Sequence, residues 1–258
     1  MTKIKNKYLL IIIILFISIN IIPISVYLLT KNEYFFSFSL IPIVLIILFF
    51  LKLPILDKFN KINYLWGIFT VIFPLFILFI ISLFVYFFDK NTNINIYYFK
   101  TSNFIITFLI SFIIILFTEE ALFRGIFWFF FEKLEYSLLK KNFIISTLFV
   151  LWHIPIIILF PDFHLYFYVT PIYFLNVFFL SFNFGFLRYF SNSLLFISIC
   201  HSIWNTLVYE FFGYGKIIGS WEIKNYLLFD PERGIISLLF QLIITTIFIY
   251  KVTKSKKS

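Results

Sequence analysis

Along this chain apolar residues come in long blocks, and most polar positions fall in the short breaks between them. A helix that spans a bilayer needs about 20 mostly apolar residues. Eight blocks approach that length: Tyr8 to Leu29, Phe35 to Leu51, Tyr64 to Phe88, Phe104 to Phe131, Phe143 to Phe160, Thr170 to Phe190, Leu194 to Phe212, and Gly234 to Tyr250. They predict an all-α, polytopic membrane protein of about eight transmembrane helices. The first block follows MTKIKNK, a charge pattern shared with signal peptides, but it is too long for a simple signal core and lacks a small-residue cleavage site. It reads as a retained helix. Pro155, Pro161 and Pro171, near the end of the fifth block and the start of the sixth, are expected to bend or break helices.

Composition agrees with this pattern and narrows the partners. The chain is 62% hydrophobic and only 13% charged, with a mean hydropathy of +1.02, outside the range of ordinary soluble domains. The net charge of +9 sits between the blocks and at the two ends. With the amino terminus placed in the cytoplasm, the inside pieces hold 14 of the 21 Lys and Arg residues and the outside pieces 6, which predicts both termini inside. The positive balance therefore sets topology, and nucleic acid is excluded as a partner. A bias toward Phe, Ile, Lys, Asn and Tyr, residues with AT-rich codons, points to a bacterial plasma membrane as the location. The single cysteine, Cys200, rules out an internal disulfide framework and reads as an inert buried thiol.

The remaining cation, Arg124, shares the fourth block with Glu119 and Glu120, in FTEEALFRGIF. A charge at mid-membrane costs roughly 2.5–3.5 kcal/mol on insertion scales, so these three need partners, water or a function. Glu120 and Arg124 are four apart with the acid first, the orientation that favours a helical ion pair. Glu119 lies about 100° round the helix from Glu120 and is left unaccounted for. The fifth block supplies FVLWH, with Phe149 and His153 on one face, and the seventh supplies HSIWN, with His201 and Asn205 on one face. His164, in PDFH between two blocks, reads as a solvated loop residue. At 1.5 Å rise per residue, Glu119, His153 and His201 lie roughly 18, 15 and 10 Å from their cytoplasmic helix ends, so they are expected to meet in a cavity within the inner half of the bilayer that opens toward the cytoplasm.

A carboxylate shielded from bulk water beside histidines is suited to act as a general base toward water. His153 is placed to help activate that water, and His201 with the Asn205 amide to donate hydrogen bonds to a tetrahedral oxyanion. Together they describe amide hydrolysis without a covalent intermediate. The alternative is a zinc site, because one Glu and two His (Glu119, His153, His201) match a common catalytic ligand set. The H-E-x-x-H helix is absent, so such a metal would draw its ligands from separate helices.

EEALFR, FVLWH and HSIWN match the patterns E-E-x-x-x-R, F-x-x-x-H and H-x-x-x-N in the order, and on the separate helices, of the CPBP intramembrane proteases. That family includes type II CAAX prenyl endopeptidases and bacterial bacteriocin-processing or immunity proteins. The resemblance covers Phe104 to Phe212 and divides the chain into amino-terminal helices (1–103), a protease-like core (104–212), and a loop, last helix and basic tail (213–258). It implies that Glu119 activates water with help from His153, that His201 and Asn205 bind the oxyanion, and that Glu120, Arg124 and Phe149 support the site. No cofactor is required in the preferred mechanism, zinc being the alternative. The implied partners are the lipid bilayer and a lipidated or membrane-associated peptide, cleaved in CAAX-type processing, bacteriocin maturation or immunity. Two other classes remain open: a non-enzymatic membrane scaffold or regulator on the same fold, and an ion or proton transporter that uses Glu and His as a relay.

Overall fold

The computed structural model describes residues 2–53, 61–89, 93–94, 101–160, 165, 167–214 and 217–255. His164, Pro161 and six of the lysines used to read topology lie outside the described residues. Within them, seven helices are long and apolar enough to cross a membrane. In lipid each backbone N–H and C=O must be satisfied within its own segment, so apolar runs of this length fold as helices.

The order is α1 (Thr2–Thr30), α2 (Glu33–Phe38), α3 (Leu40–Leu51), α4 (Lys61–Phe88), β1 (Asn93–Ile94), α5 (Thr101–Ile114), a π-helical stretch (Ile115–Phe127), α6 (Trp128–Lys133) and α7 (Leu138–Leu159). After α8 (Thr170–Ser191) and α9 (Leu194–Leu207) come a short π-helical end (Val208–Phe212), β2 (Gly213–Tyr214), β3 (Ile217–Ile218), β4 (Trp221–Glu222), α10 (Tyr226–Phe229) and α11 (Ile235–Ser255). The second expected span is the exception to the count. It divides at Ser39, whose hydroxyl donates to the Phe36 carbonyl, and the apolar stretch Phe35–Leu51 is shorter than the other seven.

Local chemistry sets the helix ends. Ser137 and Ser193 cap α7 and α9 by accepting from the backbone N–H groups of Lys140 and Phe196. Lys52 and Asn192 adopt left-handed backbone where α3 and α8 stop. Pro171 sits in the first turn of α8, where a missing N–H is harmless. Pro155 lies inside α7, which continues to Leu159 without a break.

Contacts between loops establish which helix ends share a side. The Lys5 ammonium reaches the Glu135 carboxylate at 2.7 Å, placing the amino terminus beside the α6–α7 turn. At the other end of the bundle β1 pairs antiparallel with β4, joining the segment after α4 to the segment after α9. Two apolar cores fill the interior. One gathers α1, α3, the 115–133 helix and α7 around Phe127, Phe123 and Trp152; the other gathers α4, α8, α9 and α11 around Ile81, Phe186 and Trp204. Leu29, Phe49 and Phe50 keep most of their surface exposed, as lipid-facing side chains do.

The α7–α8 contact depends on a glycine. Gly185 lets Asn142 approach so closely that a Cβ at 185 would lie 1.8 Å from Asn142 Oδ1, while the Asn142 amide donates to the Phe182 carbonyl at 2.7 Å. Gly185→Ala is therefore expected to push these helices apart at a cost of about 1–3 kcal/mol. A thermal unfolding scan in detergent checks this, with a lowered midpoint expected.

Candidate active site

The 115–127 stretch bonds its backbone i→i+5, a π-helix thirteen residues long. The wider turn brings residues four apart close to register along the axis, and π-helical geometry in a helix is frequent at functional sites. Glu120 and Arg124 are both fully buried here, and the Arg124 guanidinium meets Glu120 Oε1 at 3.1 Å. That ion pair is the one expected from the sequence. Arg124 is held further by Ser181 of α8, donating to its hydroxyl at 2.7 Å and to its carbonyl at 3.1 Å. The Phe149 ring lies 4.7 Å beneath the guanidinium carbon, a cation–π contact that accounts for the phenylalanine in FVLWH.

The same Glu120 oxygen accepts a second bond, from His201 Nδ1 of α9 at 2.7 Å. A carboxylate already bound to a guanidinium acts as acceptor, so Nδ1 of His201 carries a proton and the ring is fixed between α9 and the π-helix. Its other nitrogen, Nε2, faces Glu119 Oε2 at 3.7 Å. His201 is thus flanked by both glutamates, an arrangement the one-helix geometry of the sequence did not reveal. His153 Nδ1 lies 2.8 Å from the Phe149 carbonyl. A carbonyl only accepts, so Nδ1 donates and Nε2 of neutral His153 is left as the acceptor. The rings of Phe149 and His153 are 4.5 Å apart and those of Phe149 and His201 6.1 Å, so Phe149 packs near both histidines.

The residues of the site differ sharply in access. Glu120, Arg124 and His201 are buried, whereas Glu119, His153 and Asn205 are each half-buried and keep some surface open. Asn205 follows His201 by one turn of α9 and makes no side-chain hydrogen bond to a described residue. Glu119 Oε2 is buried without a hydrogen bond. Among the described residues no three His, Cys, Asp or Glu side chains converge closely enough to hold an ion, so Glu119, His153 and His201 as placed do not fit the tridentate zinc set.

Two features lay beyond the motif reading. Ser181 and Phe184 of α8 complete the shell around Arg124 and His201; the signal available for them was a helix with small polar residues in an apolar run. The other is the turn before α11 that carries Glu232, seated on α8 where the Asn176 amide donates to the Gly234 carbonyl at 3.1 Å.

Removing one partner from a buried ion pair leaves the other charge uncompensated, at a cost of about 3–5 kcal/mol. Arg124→Ala is expected to lower the unfolding midpoint markedly, with Arg124→Lys intermediate because it retains charge without the fork. Thermal scans of the two variants beside the parent protein measure the difference.

Neither the curated proteins nor the solved structures contain a match to the chain. A protein-family model does match: type II CAAX prenyl endopeptidase Rce1-like, over residues 101–207. The matched span opens at the start of α5 and closes at the end of α9, taking in each residue of EEALFR, FVLWH and HSIWN. Glu232 lies beyond it. Through residues 101–207, which hold the three motifs and the buried Glu120–Arg124 pair, the chain is similar to the type II CAAX prenyl endopeptidase Rce1-like family.

Proposed function

We propose that the protein is an intramembrane endopeptidase that hydrolyses a peptide bond in a lipidated or membrane-associated peptide, with water activated by Glu119. One observation carries this reading. Of two adjacent glutamates, Glu120 is buried and paired with Arg124 and His201, while Glu119 is half-buried and faces His201 Nε2 across 3.7 Å. The fold invests one carboxylate in structure and leaves the next one available.

In the proposed reaction water sits between Glu119 and His153 Nε2, the acceptor left by the Phe149 bond. Its oxygen attacks the scissile carbonyl carbon as Glu119 takes the proton. The carbonyl oxygen becomes an oxyanion that accepts from the Asn205 amide and from Nε2–H of a protonated His201. With Nδ1 already donating to Glu120, Nε2 is a donor only when the ring carries its second proton. The C–N bond then breaks, and the proton held by Glu119 passes to the departing nitrogen, giving an amine and a carboxylic acid, which transfers its own proton to the amine to leave a carboxylate and an ammonium. No step in this scheme needs an ion.

The lysine distribution supports termini in the cytoplasm and, for a bacterial chain, a plasma-membrane location. The contacts at the two bundle ends then turn Asp230–Gly234 toward the exterior. Processing of a membrane peptide, such as a bacteriocin precursor or an incoming bacteriocin in immunity, fits that geometry better than a cytosolic prenylated protein. Residues 104–212 form the catalytic core in this reading.

Glu119→Gln keeps size and hydrogen bonding but removes the base. Cleavage by the purified variant is expected to fall by at least about 10²–10⁴-fold while the unfolding midpoint stays close to that of the parent. Retained cleavage in a screen of bacteriocin precursors and prenylated peptides would reject the role assigned to Glu119.

A further inference from the structure

Ser181 belongs to none of the three motifs, yet it is the residue of α8 on which Arg124 ends. It is buried, and its hydroxyl and carbonyl both accept from one guanidinium nitrogen of Arg124, at 2.7 and 3.1 Å. The hydroxyl proton is directed elsewhere, toward the hydroxyl of buried Ser146 on α7 at 3.3 Å, so the lone pairs of Ser181 are left facing the guanidinium. From Arg124 the contacts run on without a gap. Its other terminal nitrogen meets Glu120 Oε1 at 3.1 Å, and the same oxygen accepts from His201 Nδ1 at 2.7 Å. Ser181 is therefore joined to the imidazole that faces Glu119 through two hydrogen-bonded side chains.

The packing around α8 makes that connection stiff. Phe184, three residues along and on the same face, sets its ring 6.0 Å from the guanidinium carbon and 5.1 Å from the His201 ring. On the far side of α8, two residues and about 200° away from Ser181, buried Asn183 donates to Gln241 Oε1 of α11 at 2.8 Å and accepts from the Thr245 hydroxyl at 2.9 Å. Asn142 of α7 donates to the Phe182 carbonyl at 2.7 Å. Held by α7 and α11, α8 is not free to roll toward Arg124 when Ser181 loses its oxygen. The guanidinium has to shift instead, and with one acceptor fewer in a buried site it draws on its remaining carboxylate, Glu120.

We infer that Ser181 is a positioning residue for the reaction proposed above: its hydroxyl, acting through Arg124 and Glu120, fixes the tilt of His201, with Nδ1–H tied to Glu120 and Nε2 aimed at the oxyanion. The inference rests on the proteolytic reading and adds α8 to a site whose motifs lie on three other helical segments. Ser181 touches no reacting atom. Because the oxyanion exists only after attack, loss of that aim lowers kcat and leaves KM unchanged.

The test uses the full chain in detergent and two variants, Ser181→Ala and the near-isosteric Ser181→Cys, whose sulfur is a weak acceptor. With a peptide that the parent protein cuts, kcat is expected to fall roughly tenfold to a hundredfold in both, at unchanged KM. A second readout needs no turnover: proton NMR of isotope-labelled histidine side chains, in which the His201 signal is the one missing from His201→Gln. Its Nδ1 proton, bonded to a carboxylate, is expected far downfield in the parent and to move upfield, or to be lost to solvent exchange, in both variants. A folding defect lowers the unfolding midpoint without moving that resonance in the protein that remains folded. An unchanged His201 signal in a folded variant, a kcat equal to the parent's, or an effect confined to KM overturns the inference. Should Ser181→Ala fail to fold, Ser181→Cys decides alone on the same criteria. A displaced His201 signal with no cleavage by the parent keeps the link from Ser181 to His201 and rejects the proteolytic reading; cleavage by the parent with kcat and the His201 signal unchanged in the variants keeps that reading and rejects the link.

Discussion

Glu120 Oε1 accepts from Arg124 at 3.1 Å and from His201 at 2.7 Å, and the rest of the site depends on that one shared oxygen. A carboxylate with no exposed surface in a membrane interior is tolerated only when it is paired and hydrogen-bonded. Here the pairing also does positional work. Arg124 ties the π-helix to α8 through Ser181, and His201 ties it to α9, so satisfying one charge locks three helices. The meeting point lies between the two apolar cores, which by themselves would not specify how their helices register.

The π-helical stretch is the backbone consequence of the same constraint. Thirteen residues of i→i+5 bonding are costly relative to an α-helix, and they persist because tertiary contacts over-determine them. The widened turn lets Glu119 and Glu120, adjacent in sequence, address opposite nitrogens of one imidazole. Phe149 closes the arrangement from α7, stacking under Arg124 with its ring and orienting His153 with its carbonyl. A single phenylalanine thereby links the supporting cation to the second histidine.

The turn before α11 is fixed by a short-range pairing of its own: Arg233 closes onto Asp230, whose Oδ1 also accepts from the backbone N–H groups of Glu232 and Arg233.

Much of this was legible in the sequence, because lipid imposes rules that act locally. Apolar block length alone determined the spans, within a few residues of the helices observed, since each backbone group must be satisfied inside its own segment. Motif spacing determined the Glu120–Arg124 pair, because four residues along one helix is a fixed distance. It also singled out Glu119, His153, His201 and Asn205, as charge and imidazole are expensive there. The break at Ser39 inside the second span escaped notice because one serine leaves its hydropathy almost unchanged. Only the tertiary structure decided that Glu120 serves His201 as well as Arg124, that Ser181 and Phe149 hold the guanidinium, and that the Asp230–Gly234 turn seats on Asn176 of α8. Each of these rests on how helices distant in sequence rotate and dock, and apolar blocks packed in lipid carry no periodicity that records it.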